Sequence, residues 1–192
     1  MTDKVYCYPD SDVLINKLNI REQEKLHTFE RKLTMLRLLE LIDQPLEGKF
    51  DFNHLKKIHR YIFQDIYDWA GEIRKVDITK GNMFCNVKFI DAQAQEIFGK
   101  LKEENYLEGL PKTEFVKRLA YFFSEINALH PFREGNGRSQ REFIRSLAMK
   151  NGYIISFANI SESEMIKASR NSFLCEYEMM ERLFAKCIGQ IN

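Results

Sequence analysis

The run His130-Pro131-Phe132-Arg133-Glu134-Gly135-Asn136-Gly137-Arg138-Ser139-Gln140-Arg141 decides how the rest of the chain is read. Upstream of it, Phe115, Val116, Leu119, Ala120, Phe122, Phe123, Ile126 and Leu129 return at three- and four-residue intervals, the spacing of a buried helix. Pro131 lacks an N–H and disfavours helical geometry in the residue before it. That helix must therefore stop at His130, whose backbone is expected to turn extended. Beyond the two glycines, Phe143, Ile144, Leu147 and Ala148 begin a second helical period. The run reads as helix, glycine loop, helix.

Each residue type in the loop has a physical reason to be there if the loop holds the phosphates of a nucleotide. Gly135 and Gly137 let the backbone approach a ligand and turn consecutive N–H groups toward one point. The start of the second helix adds unpaired N–H groups and the positive end of its dipole, which together make an anion site. Arg138 and Arg141 lie three apart on its first turn, where two guanidinium forks can hold more distal phosphate oxygens. Glu134 supplies a hard oxygen ligand suited to a magnesium ion shared with phosphates. A histidine such as His130 is the natural proton acceptor, because the unperturbed imidazole pKa lies near neutrality, where a general base works best, and a helix C-terminus favours the protonated form. A Gly-Asn-Gly turn or a helix-ending His-Pro is ordinary punctuation taken singly. Base, carboxylate, paired glycines and two arginines in one uninterrupted run are not.

The run resembles the core motif of the Fic domain (Fic/Doc superfamily), His-x-Phe-x-(Asp/Glu)-Gly-Asn-Gly-Arg-x-x-Arg, with every fixed position matched between His130 and Arg141. The resemblance implies a protein adenylyltransferase, which moves AMP from ATP to a hydroxyl side chain of a target protein. By family role His130 deprotonates that hydroxyl and Glu134 holds Mg2+. Gly135, Asn136 and Gly137 bind the α-phosphate region, Arg138 and Arg141 take the β- and γ-phosphates, and Phe132 is a buried anchor. A relative that transfers phosphate carries Ala and Lys where this chain has Gly135 and Gly137, so the chain falls on the AMP side. The fold implied is mainly α: a Fic-type helical domain of about six to eight helices with one small β-hairpin flap.

Composition agrees. With 192 residues the chain fits a single Fic domain over 1–192, with residues 1–20 as an N-terminal arm and the resemblance running over 52–188. A chain of this size buries roughly 70% of its extended surface, so one core is expected. Twenty-nine basic residues against 28 acidic ones give a net charge of +1, which argues against a chain-wide nucleic-acid or membrane footprint. Cysteines 7, 85, 175 and 187 lack paired or metal-ligand spacing and read as reduced thiols. No stretch has signal-peptide or membrane-span character, so a cytoplasmic location is expected.

Taken in order, Leu26, Phe29, Leu33, Leu36 and Leu39 have helical spacing between Arg21 and Asp43, and Pro45 with Gly48 ends that stretch. Phe52, Leu55, Ile58, Ile62, Phe63 and Ile66 suggest a second core helix leading to Trp69-Ala70-Gly71. The period then changes. Val76 and Ile78 alternate with polar residues, Lys80-Gly81-Asn82-Met83 carries turn chemistry, and Phe84, Val87 and Phe89 read as a second strand. A lone hairpin is only marginally stable unless packed or used. By resemblance it is the Fic flap, with Arg74 after Trp69-Ala70-Gly71 and the turn Lys80, Gly81, Asn82 and Met83 expected to touch target or nucleotide. Further helices are expected over Asp91 to Asn105 and from Tyr177 to Ile188, with a capping box at Ser161 to Glu164. His54 and His59 lack metal-site spacing and read as structural or surface residues.

Many Fic domains are shut off by a helix with the pattern (Ser/Thr)-x-x-x-Glu-(Gly/Asn), whose Glu pairs with the second arginine of the motif, here Arg141. Ser172 and Glu176 have the spacing, but Tyr177 stands where Gly or Asn belongs. The chain thus resembles the stand-alone, antitoxin-regulated type without an inhibitory helix of its own. That resemblance implies a toxin held by a small antitoxin that supplies the glutamate. It also implies the ATPase subunit of a type II topoisomerase as the target, with no direct nucleic-acid or membrane contact. Two alternatives stay open: a Fic-fold phosphotransferase using another donor chemistry, and a non-catalytic nucleotide-binding module.

Overall fold

The computed structural model describes residues 5–80 and 82–190. The fold is mainly α, with seven α-helices among the described residues: α1 (Gln23–Asp43), α2 (Phe52–Phe63), α3 (Ile90–Glu103), α4 (Lys112–Leu129), α5 (Asn136–Lys150), α6 (Glu162–Ser172) and α7 (Glu178–Cys187). The apolar set of α4 is buried throughout, because α3, α5 and α7 pack around it, while α2 lies along α5. The site loop between α4 and α5 therefore hangs between two of the best-packed helices of the core.

Local chemistry sets the ends. Asp51 caps α2 by accepting from the His54 N–H at 2.8 Å. Gly152 (φ 80°) follows the end of α5 and returns its N–H to the Met149 carbonyl at 3.0 Å. Ser161 and Glu164 form the expected capping box of α6. The arm before α1 is irregular yet packed. Tyr6, Val13 and Leu14 are buried, and the Asn16 amide donates to the Leu14 and Ile20 carbonyls at 2.9 and 2.7 Å.

Three details depart from the sequence pattern. In α1 only part of the apolar set is buried: Phe29, Leu36 and Leu39 are exposed, and the inner face carries Leu26 and Leu41 together with the polar Glu30 and Thr34. The helix is turned toward α5 by a polar contact described below. Second, the hairpin is shorter than its alternating pattern suggests. Strand β1 (Thr79–Lys80) pairs antiparallel with β2 (Asn82–Met83), and Val87–Phe89 is a 3-10 turn rather than strand. Asp77 accepts from the Val87 N–H at 2.8 Å and Asn86 from the Lys88 N–H at 3.1 Å, which curls the return leg into the start of α3. Third, a second two-stranded sheet joins β3 (Tyr153–Ile155) to β4 (Ile188–Gln190), so Ile188 ends as strand instead of helix. No helix among the described residues is long and apolar enough to cross a membrane.

Candidate active site

His130 ends α4, but its backbone is left-handed (φ 45°, ψ 58°) rather than extended. Pro131 forbids another helical residue, and the left-handed turn lets the His130 N–H close on the Ile126 carbonyl at 3.2 Å. A non-glycine residue held there costs about 1–3 kcal/mol, so its surroundings must hold it. They do. The buried Arg74 donates from its side-chain Nε to the His130 carbonyl and from its backbone N–H to the Pro131 carbonyl, both at 2.9 Å. The Phe84 ring lies flat against the imidazole, 3.7 Å between centroids and 12° between planes.

Phe132 is buried as an anchor, and the Asn136 side chain clamps its backbone in both directions. Oδ1 accepts from the Phe132 N–H at 2.8 Å and Nδ2 donates to the Phe132 carbonyl at 2.7 Å. Asn136 thus builds the loop with its side chain, and its backbone N–H is what it turns toward a ligand. Gly135 has φ 80°, and a Cβ there would lie 2.1 Å from Cζ of Phe63. The first N–H of this turn to bond back is that of Ser139, to the Gly135 carbonyl at 3.1 Å. Helix geometry leaves the N–H groups of Asn136, Gly137 and Arg138 without intrahelical acceptors, at the positive end of α5.

The two arginines of the run are held differently. Arg138 lies over the Phe63 ring at 4.6 Å, pairs with Glu30 at 2.5 Å and donates to Thr34 Oγ1 at 3.1 Å. The Tyr67 hydroxyl donates to the second oxygen of Glu30, and burial together with that carboxylate pushes the phenol pKa upward. This network turns Glu30 and Thr34 of α1 inward. Arg141 makes no ion pair among the described residues. Burial and the neighbouring Arg138 both push its pKa down, as expected of a guanidinium still lacking an anion. Glu134 accepts from the Gly135 N–H at 2.8 Å and stands 3.8 Å from Arg138. Among the described residues no group of three or more His, Cys, Asp or Glu can hold a metal. A magnesium ion bound by one carboxylate and the phosphates needs no such group, and the partly exposed Glu134 carboxylate beside the anion turn fits that role.

His59, read from sequence as structural or surface, is fully buried under the loop. Its Nδ1 accepts from the Gly71 N–H at 2.8 Å, so Nε2 carries the proton and donates to the Glu134 carbonyl at 2.9 Å. The ring is stacked against Phe132 at 3.8 Å and Phe63 at 4.7 Å. Burial pushes its pKa down to about 3. Below the ordinary histidine value the unfolded chain takes up a proton that folded His59 refuses. Stability should therefore be full above about pH 6.5 and fall by about 1.4 kcal/mol per pH unit between there and pH 3. Chemical denaturation at pH 7, 6 and 5 measures this slope, and His59→Gln should flatten it. An equal slope in both proteins would show that His59 does not hold the neutral form.

The structure brings His130, Glu134, Gly135, Asn136, Gly137, Arg138 and Arg141 onto one loop and the start of one helix. Of the flap turn, Lys80, Asn82 and Met83 belong to the short paired strands, and Gly81 lies outside the described residues. The flap meets the base through Phe84, which sequence reading assigned to a strand without linking it to His130. Phe84 also borders a cleft of about 380 Å3, with Phe173, Ile97 and Leu129 among its walls.

Against known proteins, residues 49–148 match the family model described as the Fic/DOC family. The chain is 41% identical over 188 residues to protein adenylyltransferase VbhT of Bartonella schoenbuchensis, covering 97% of this chain and 39% of that protein. It is 38% identical over 186 residues to the "Probable protein adenylyltransferase Fic" of Escherichia coli K12, covering 96% of this chain and 92% of that protein. Among solved structures, the N-terminal Fic domain of a Bep effector from Bartonella quintana with bound ADP superposes with a TM-score of 0.90 at 28% identity, covering 99% of this chain and 97% of that one.

Proposed function

The chain belongs to the Fic/DOC family, and from that premise and the geometry of the loop we propose that it is a protein adenylyltransferase using ATP. The observation that carries the reading is the anion turn. Left-handed Gly135, the first N–H groups of α5 and a half-buried Arg141 without an acidic partner among the described residues follow directly on a histidine held in strained geometry. Relatives named as protein adenylyltransferases and a similar Fic domain with bound ADP support it.

In this reading the target hydroxyl gives its proton to His130, and its oxygen forms a bond to the α-phosphorus of ATP. The bond from that phosphorus to the bridging oxygen breaks, and pyrophosphate leaves with the electron pair. The N–H groups of the turn hold the α-phosphate oxygens, while Arg138 and Arg141 take the charge of the departing phosphates. An arginine in such a role is worth about 10³ to 10⁵ in rate. Glu134 would hold magnesium, which supplies further neutralisation of phosphate charge when bound. Phe173, on the wall of the cleft, gives an aromatic surface against which a purine can stack. Phe173→Ala should then weaken ATP binding by about 1–3 kcal/mol and leave inorganic triphosphate binding unchanged. Calorimetry that found both affinities unchanged would move the base elsewhere.

The position of the label tests the reaction itself. With purified chain, magnesium and a cell extract, α-labelled ATP should mark a protein and γ-labelled ATP should not. Label from the γ position alone would make the chain a phosphotransferase, and ATP binding with no label from either would make it a binding module.

The finer reading is a cytoplasmic toxin whose partner is a small antitoxin and whose target is the ATPase subunit of a type II topoisomerase. Two features support a partner. Arg141 has no acidic partner among the described residues to compete with a glutamate supplied from outside, and α1 leaves Met35, Leu36, Leu39 and Ile42 exposed as an apolar face. Purification from the native locus without a small partner, together with normal growth on expression of the chain alone, would remove the toxin reading.

A further inference from the structure

Arg74 is among the largest fully buried side chains of the protein, and its guanidinium bonds to carbonyl groups at three separate places. Nε donates to His130 at 2.9 Å and Nη1 to Val76 at 2.7 Å, while Nη2 donates to Cys85. Val76 lies before the first strand of the hairpin and Cys85 after the second, so one side chain holds both legs of the flap and the carbonyl of the base. Asp77, 3.6 Å from Nη1, supplies the counter-charge. The Arg74 N–H takes the next carbonyl along, that of Pro131. The return leg is fastened a second time. The Cys85 N–H donates to the Ala128 carbonyl at 3.0 Å, two residues before His130, and Phe84 covers the imidazole.

A planar fork with donors fixed in three directions suits this arrangement, and a single ammonium cannot reproduce it. His130 is held in a left-handed conformation that the following proline disfavours, and Arg74 contributes two of the bonds that keep it there. We propose that Arg74 is a positioning residue that makes the flap and the base one mechanical unit, so that a target segment aligned on the flap is aligned on His130 as well. The proposal rests on the adenylyltransferase reading for its base and target, though not for the coupling of the two elements. The phosphate turn lies on the far side of Pro131, clamped by Asn136 and His59, and the purine wall assigned above is Phe173, so neither passes through Arg74.

The test compares wild type, Arg74→Lys and Arg74→Met in the full chain. Hydrogen exchange is measured along residues 76–89 and 128–132, ATP–magnesium affinity by calorimetry, and transfer to extract proteins at saturating α-labelled ATP. Arg74→Met should lose exchange protection in both segments together and transfer about a hundredfold more slowly, with ATP affinity unchanged. Arg74→Lys, which keeps the charge and part of the bonding, should fall between. If Arg74→Met does not fold, the lysine protein carries the test by the same readouts. Protection lost in one segment only, or ATP affinity falling in step with transfer, would overturn the proposal. Should wild type transfer nothing, the enzyme reading fails, and the exchange pattern still decides the coupling.

Discussion

Replacing His130 by alanine should slow AMP transfer by about 10²- to 10⁴-fold and leave ATP affinity unchanged. The imidazole acts on the target hydroxyl, whereas the nucleotide is held by the turn beyond Phe132. Alanine also removes the stack with Phe84, worth about 0.5–1.5 kcal/mol, and sits less well than asparagine in a left-handed backbone. His130→Asn separates the two effects. It tolerates φ near 45° and has no basic nitrogen, so it should melt closer to wild type and still fail to transfer. Near-normal transfer by either protein would take the base away from His130. A parallel fall in ATP affinity would mean that the ring also orders the phosphate turn.

Gly135→Ala should be the most damaging change that leaves every polar group in place. The added methyl would lie 2.1 Å from Cζ of Phe63, in a backbone with φ 80°. Phe63 has little room to give, since His59 stacks on it and Arg138 lies over it. Strain of about 1–3 kcal/mol in the left-handed region adds to a similar overpacking term. The loop must shift to relieve both. Displacing one preorganised donor costs roughly 2.7–4 kcal/mol of transition-state stabilisation, so transfer should fall by about 10²- to 10³-fold even in the molecules that stay folded. Gly137→Ala is the control. Its methyl would meet only the end of the Arg141 side chain at 3.1 Å, so it should be much milder. Melting and transfer that rank the two alanines equally would show that Phe63 is not the wall inferred for this turn. A protein that carries alanine at this position must give the methyl the space that Phe63 fills here.

What the sequence made legible was periodic or contiguous. The helix before His130 and the glycine turn were read from neighbours along the chain, because local spacing and dihedral preference act over a few residues. What escaped was the long-range support. Glu30 and Thr34 sit in a helix whose exposed face is the more apolar, so no periodicity could mark them as buried partners of Arg138. His59 and Arg74 reach the loop from 75 and 56 residues away, and nothing near them in sequence reports those bonds. The backbone of His130 departs from extended geometry because the proline rule excludes only the helix, while the closing bond to Ile126 and the grip of Arg74 favour the left-handed alternative. Strands β3 and β4, three residues each, are too short to show alternation, and their pairing joins segments more than thirty residues apart.

The most direct measurement is mass spectrometry of extract proteins exposed to the chain, ATP and magnesium, beside the same extract exposed to the His130→Ala protein. The account predicts an AMP moiety esterified to a serine, threonine or tyrosine hydroxyl, present with His130 and absent without it. A phosphate on the acceptor, or AMP adducts that persist in the His130→Ala sample, would contradict it.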